Sequence, residues 1–248
     1  MKKRPVRRAA RRARPIARRR RSGRPSGPRV LRVARADLGR FHLLSEAGAH
    51  NAAIAMSQII GRPLRLDVRW AKTLPLEEVA DMAGGASRVV CALSLKVYGD
   101  LRGHMLMLFS REQLPVLLDL VLPRTGSGPK RPGGLQGMDE MERSALLEIG
   151  NILGCAYLNA LSRLLGVSLL PSIPGLAFDM VGAVTDHLLI DLASVSDTAV
   201  VLASEVQEPA SGLRCEIFFL PHPDSLGVLA RTHEREIEPR VAARSRGR

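Results

Sequence analysis

Between residues 139 and 165, in DEMERSALLEIGNILGCAYLNALSRLL, apolar residues recur at spacings of three and four. Ile149, Ile152, Leu153, Ala156, Ala160, Leu161 and Leu164 fall on one stripe, which predicts a long amphipathic helix with that stripe against a core. Asp139, Glu140 and Glu142 lie in its first turn, where the positive end of the helix dipole favours acids. Elsewhere the pattern changes to short β-branched and apolar runs. RVVCALSLKVYGDLRGHMLMLFSREQLPVLLDLVL offers a strand, a turn at Gly99 and Asp100, a second strand, and then a helix opened by Ser110 with Glu112 nearby. TAVVLASEVQEPASGLRCEIFFLPHPDSLGVLART gives the same order, with Pro209 to Gly212 as the turn and Pro223 and Asp224 opening the helix.

Sliding the chain against itself by 105 positions sets SEAGAHNAAIAMSQIIGRPL (45–64) on GNILGCAYLNALSRLLGVSL (150–169). Ala55, Ser57, Gly61 and Leu64 then coincide with Ala160, Ser162, Gly166 and Leu169, and Ile59 and Ile60 meet Leu164 and Leu165. Two helix, strand, strand, helix units follow from this, each with an internal hairpin and therefore antiparallel pairing. The expected fold is α+β: a pseudo-two-fold duplicated unit whose antiparallel sheet packs against long helices. Its repeats are placed at about 37–122 and 138–236. The Gly- and Pro-rich stretch PRTGSGPKRPGGLQG, 123–137, reads as a linker between them.

Charge matters once it is located. The chain of 248 residues carries a net charge of +13, but residues 1–36 hold 16 Lys and Arg and no acid. The other 212 residues hold 21 bases against 24 acids, so the body is mildly acidic. The opening run repels itself, has prolines at 5, 15, 25 and 28, and is expected to be an unstructured tail. It reads either as a bland tail or misassigned start, or as a nonspecific hold on nucleic acid or an anionic surface. No apolar segment of a secretory signal follows the basic residues. The longest apolar runs are short, and LPVLLDLVL is interrupted by Asp119, so no transmembrane segment is expected. Residues 237–248 read as a second polar tail. Cys91, Cys155 and Cys215 are far apart and odd in number, which suggests buried thiols in a reducing cytoplasm. The six histidines form no paired ligand spacing, so no metal site is expected.

On the predicted helix Ser144, Glu148 and Asn151 stand at i, i+4 and i+7 and project from one strip. Gly150 and Gly154 lie beside them, each costing about 1 kcal/mol against Ala in a helix interior. The strip is either the solvated side of an amphipathic helix or a working surface. The glycines fit close approach of another molecule's backbone, or tight packing of a neighbouring helix.

ALLEIGNILGCAYLNALSRLLGVSLLPSIP resembles the signature of the CheC, CheX and FliY phosphatases of bacterial chemotaxis. That signature is Asp or Ser, three residues, Glu, two residues, Asn, about twenty-two residues, then Pro. Ser144, Glu148, Asn151 and Pro174 match it, with 22 residues between the last two. NAAIAMSQIIGRPL, LPLEEV and YGDLRGHMLMLF are also similar to CheC, so the likeness spans nearly all of 37–236. There are two departures. The first-half equivalents are Gly39, Leu43, Glu46 and Arg69, which do not fit, so that half should be silent. Leu153 stands where family members often carry Gly, and its place on the apolar stripe implies altered packing rather than lost chemistry.

The resemblance implies a cytoplasmic phosphatase acting on the phospho-aspartate of a CheY-like response regulator. Asn151 would orient the attacking water, and Glu148 would pair with the regulator's active-site lysine. Ser144 and Pro174 would sit at the edge of the contact and in the loop after the helix. Gly150 and Gly154 would let the regulator approach closely. No cofactor is expected on this chain, since the regulator supplies Mg²⁺. CheD is a further partner that the resemblance implies. The alternative is a non-catalytic adaptor for phosphorylated regulator, or a flagellar switch component of FliY or FliM type.

Overall fold

The computed structural model describes residues 60–122 and 138–228, together with Gly39, Ala49, His50, Ala53, Ile54, Met56, Ser57 and Gln58. The segments read as a basic tail (1–36), a linker (123–137) and a polar tail (237–248), and most of residues 37–59, lie outside the described residues. The strands are β1 (Arg65–Pro75), β2 (Val89–Gly99), β3 (Gly103–Ser110), β4 (Leu169–Pro171), β5 (Gly175–Met180), β6 (Thr198–Glu208) and β7 (Leu213–Pro221). The helices are α1 (Val79–Met82), α2 (Gln113–Val121), α3 (Glu140–Leu165) and α4 (Val181–Ala193).

All strands join one antiparallel sheet in the order β1, β6, β7, β3, β2, with β4 and β5 both against the outer side of β2. Each half's leading strand pairs with the other half's hairpin: β1 with β6, and β5 with β2. Both faces of the sheet are covered. On one face Leu93, Leu95, Met105, Met107, Phe109 and Phe219 pack with α3, α2 and the helical residues Ala49, Ala53 and Met56. On the other, Val90, Ala92, Leu106, Leu108 and Phe218 pack with α4 and the region of α1. Burial on both faces is why these strands read as nearly continuous apolar runs instead of alternating.

Several boundaries differ from the sequence reading. Ser110 ends β3 and does not open a helix; α2 begins at Gln113 without a side-chain cap. The hairpin turns are where expected, with Gly99 and Gly212 at φ of 106° and 72°. β1, β4, β5 and α4 are elements that the periodicity did not disclose. α4 starts at Val181 with no capping side chain, and β5 is a short, half-exposed edge segment. α3 is also long and apolar enough by composition to cross a membrane, against the expectation of no such segment, but half of that window is buried inside the fold.

Candidate functional site

α3 is held firmly at both ends. Asp139 caps it: the Glu142 amide donates to Asp139 Oδ1 at 2.7 Å, and the Asp139 amide donates back to Glu142 Oε2 at 3.2 Å. At the other end Gly166 takes the left-handed conformation, φ 61°, and its N–H donates to Ser162 O. Between the caps Leu146, Ile149, Leu153, Tyr157, Leu158 and Leu165 are buried, and the Tyr157 hydroxyl lies 3.2 Å from Ser204 Oγ on β6. Burial pushes that phenol up to about 12.

The predicted strip emerges on the other side. Ser144 and Glu148 are exposed and Asn151 is half-buried. At i, i+4 and i+7 on an unbroken helix they form one row, neighbouring Cβ atoms about 5–6 Å apart. Met141, 69% exposed, stands one turn before Ser144.

Gly150 and Gly154 require a correction, because both are buried and face the sheet instead of the strip. A Cβ on Gly150 would lie 3.0 Å from Leu93 Cδ1, and one on Gly154 would lie 3.1 Å from Leu95 Cδ2. They let α3 sit low on β2; they are not a clearance for an incoming molecule. Ile152, Ala160 and Leu164 are only half-buried, so the true buried stripe is turned toward the glycines. Leu153 is buried, as its place on the stripe suggested.

Pro174 lies between β4 and β5, so a strand intervenes between it and α3. Pro171 pairs with Val97 and Gly175 with Ser94, so residues 172–174 run opposite Leu95 and Lys96 at the sheet edge, and Leu95 is the residue that meets Gly154 of α3. Ser172 fixes the segment: its amide donates to Lys96 O at 2.8 Å and its Oγ accepts from the Lys96 amide at 3.0 Å. Of the first-half equivalents, Gly39 is exposed, and Arg69 sits at an irregularity of β1 with its guanidinium 2.7 Å from Glu205 Oε2. Leu43 and Glu46 lie outside the described residues.

Cys155 extends the row at i+11 and was missed as part of it. Its spacing of four from Asn151 was the available signal. Cys91 and Cys215 are buried as expected, but Cys155 is half-buried, and all three are free thiols. Its Sγ lies 3.6 Å from Asn151 Oδ1. Burial, and then the charge of Glu148, raise its pKa, which keeps the proton on sulfur.

A separate cleft of about 350 Å³ opens on the opposite face of the sheet, between α4, β2 and the 172–174 segment. Here Asp191 Oδ2 lies 3.4 Å from Lys96 Nζ and 3.5 Å from Nε2 of the buried His104. Among the described residues no group of three or more His, Cys, Asp or Glu could hold a metal ion.

No family model matches the chain. Over 187 residues it is 36% identical to the CheY-P phosphatase CheC of Bacillus subtilis, covering 73% of this chain and 86% of that protein. It is 25% identical over 178 residues to CheC1 of Halobacterium salinarum, covering 72% and 86%. In fold it is similar to FliY of Thermotoga maritima, with a TM-score of 0.60 at 19% identity over 82% of this chain and 98% of that one. The FliM middle domain of H. pylori gives a TM-score of 0.53 at 12% identity, over 80% and 99%. With more than a third of residues shared with CheC across most of both chains, and a sheet-and-helix fold in common with FliY, the chain belongs to the CheC, CheX and FliY family.

Proposed function

We propose that this protein is a cytoplasmic phosphatase that hydrolyses the phospho-aspartate of a CheY-like response regulator, with one active site on α3. The observation that carries the reading is the Ser144, Glu148 and Asn151 row: polar, with Ser144 and Glu148 exposed and Asn151 half-buried, and backed by a helix buried against the sheet, in a chain 36% identical to a CheY-P phosphatase.

Hydrolysis of an acyl phosphate needs a water held in line behind phosphorus and charge stabilisation at the equatorial oxygens. The regulator brings its own Mg²⁺ and lysine for the second task. The phosphatase supplies the first. A carboxamide suits this because its oxygen accepts from the water, its NH₂ donates to another oxygen, and it does not ionise. Asn151 fills that role. Glu148, one turn back and exposed, pairs with the regulator's lysine through a charge-assisted hydrogen bond and sets the docked orientation. Ser144 lies at the edge of the contact, and Pro174 stiffens the edge segment beside α3. CheD is a further candidate partner, to which no residue is assigned.

The test is to phosphorylate CheY-type regulators with a small phosphodonor, remove the donor, and follow loss of phosphoryl label. Acceleration by wild type that falls at least about 100-fold in Asn151→Ala, and is unchanged in Glu46→Ala, supports a single site on α3. Phosphorylation-dependent binding without acceleration replaces this reading with that of an adaptor or switch component.

A further inference from the structure

The row does not end at Asn151. Cys155 stands one turn further along α3, 11 residues from Ser144, and so projects from the same strip as Ser144, Glu148 and Asn151. Its sulfur is 3.6 Å from Asn151 Oδ1.

We propose that Cys155 is a positioning residue for Asn151, its S–H donating to Oδ1 and selecting one of the two orientations of the carboxamide. This rests on the reading of Asn151 as the group that orients the attacking water. The carboxamide of the half-buried Asn151 has two orientations half a turn apart, and in one of them the water would meet NH₂ instead of the oxygen. With Oδ1 toward Cys155 the thiol is satisfied. In the opposite orientation the NH₂ would face sulfur, a weak acceptor. A carbonyl oxygen has two lone pairs, so one takes the thiol proton and the other remains for the water. The role needs sulfur to keep its proton, and both burial and the Glu148 carboxylate favour the protonated thiol. The same two influences argue against Cys155 as a nucleophile, which would require the thiolate.

Wild type, Cys155→Ala and Cys155→Ser are compared in steady-state dephosphorylation of a phosphorylated CheY-type regulator, at concentrations that separate kcat from KM. The side-chain carboxamide signal of Asn151 is followed in a ¹H–¹⁵N spectrum, assigned by its loss in Asn151→Ala. Cys155→Ala is expected to lower kcat about 3- to 10-fold, the range of one neutral hydrogen bond, with KM unchanged and the carboxamide signal shifted. Cys155→Ser retains a donor and is expected to restore kcat. Equal losses in both variants, a wild-type rate in Cys155→Ala, or an unmoved carboxamide signal would overturn the proposal. If wild type accelerates no regulator, it is the phosphatase reading that fails, and the carboxamide signal still decides whether the tether exists.

Discussion

Gly150 illustrates how a residue's sequence neighbours can mislead about its surroundings. It sits next in line to Asn151, yet successive residues on a helix are about 100° apart, and Gly150 points into Leu93, which is fully buried. An added methyl would gain about 1 kcal/mol of helix propensity. Against this stands overpacking, typically about 1–3 kcal/mol, because both Leu93 methyl groups lie within 3.2 Å of the new atom. Gly150→Ala is therefore expected to be destabilising by about 1 kcal/mol in denaturant melts. Leu93→Val shortens the opposing side chain, so the double variant should cost less than the sum of the two single ones. If Gly150→Ala instead disabled binding of a regulator without changing stability, the glycine would belong to the docking surface after all. His104 makes a second residue-scale prediction. Burial lowers its pKa more than Asp191 raises it, and among the described residues Nδ1 has no hydrogen-bond partner, so the neutral ring is the form that fits. The unfolded chain then takes up the proton first as pH falls through about 6.5. Stability contributed by the neutral ring is thus complete above that pH and is lost below it. Thermal melts between pH 7.5 and 5.5 should show this decline, and His104→Gln should flatten it.

At the scale of an element, α3 shows what periodicity can and cannot disclose. Its start was legible from the acids Asp139, Glu140 and Glu142, a charge pattern that suits a first turn; the capping box in which Asp139 is the N-cap and Glu142 its partner comes from the structure, where both halves are formed. Asp139→Ala should cost about 1 kcal/mol, read as a lower melting temperature, while Asp139→Ser should recover most of the loss. The orientation of α3 was less legible. A wheel that counts apolar side chains gives no weight to Gly150 and Gly154 or to Tyr157, yet these line the deepest contact with β2 and β6. The edge strands escaped notice for a different reason. β1, RLDVRWAKTLP, carries charge along its length because its flanks meet solvent, and it is broken by an irregularity between Val68 and Trp70. β4 and β5 are too short to establish a period. The chemistry of the strip was not legible from pattern at all. Ser, Glu and Asn on one side of a helix describe any solvated face, and only the fourth position, Pro174, with the wider likeness to CheC, distinguished this one.

For the whole molecule, the sheet separates two surfaces with different contents. α3 displays its polar row on one side, and the Lys96, His104 and Asp191 cleft opens on the other, with Ser172 and Ile173 among its lining. Neither surface is strongly basic. The positive charge is concentrated in residues 1–36, whereas the remainder has 24 acids to 21 bases. The regulator docking proposed for Glu148 and any polyanion binding that the charge of the opening segment would support therefore involve different parts of the chain and should be separable. Removing residues 1–36 is expected to leave dephosphorylation within about twofold of wild type, since none of the candidate site residues lies in that segment and interactions between exposed charges are screened beyond about 10 Å at 0.1 M salt. The same deletion should abolish retention on a polyanion such as heparin, and the full chain should lose that retention steeply as salt is raised, because each neutralised phosphate or sulfate releases a counterion. If deletion instead slowed dephosphorylation and the loss grew at low salt, the opening segment would be steering the regulator toward α3, and the acidic body alone would be an incomplete enzyme.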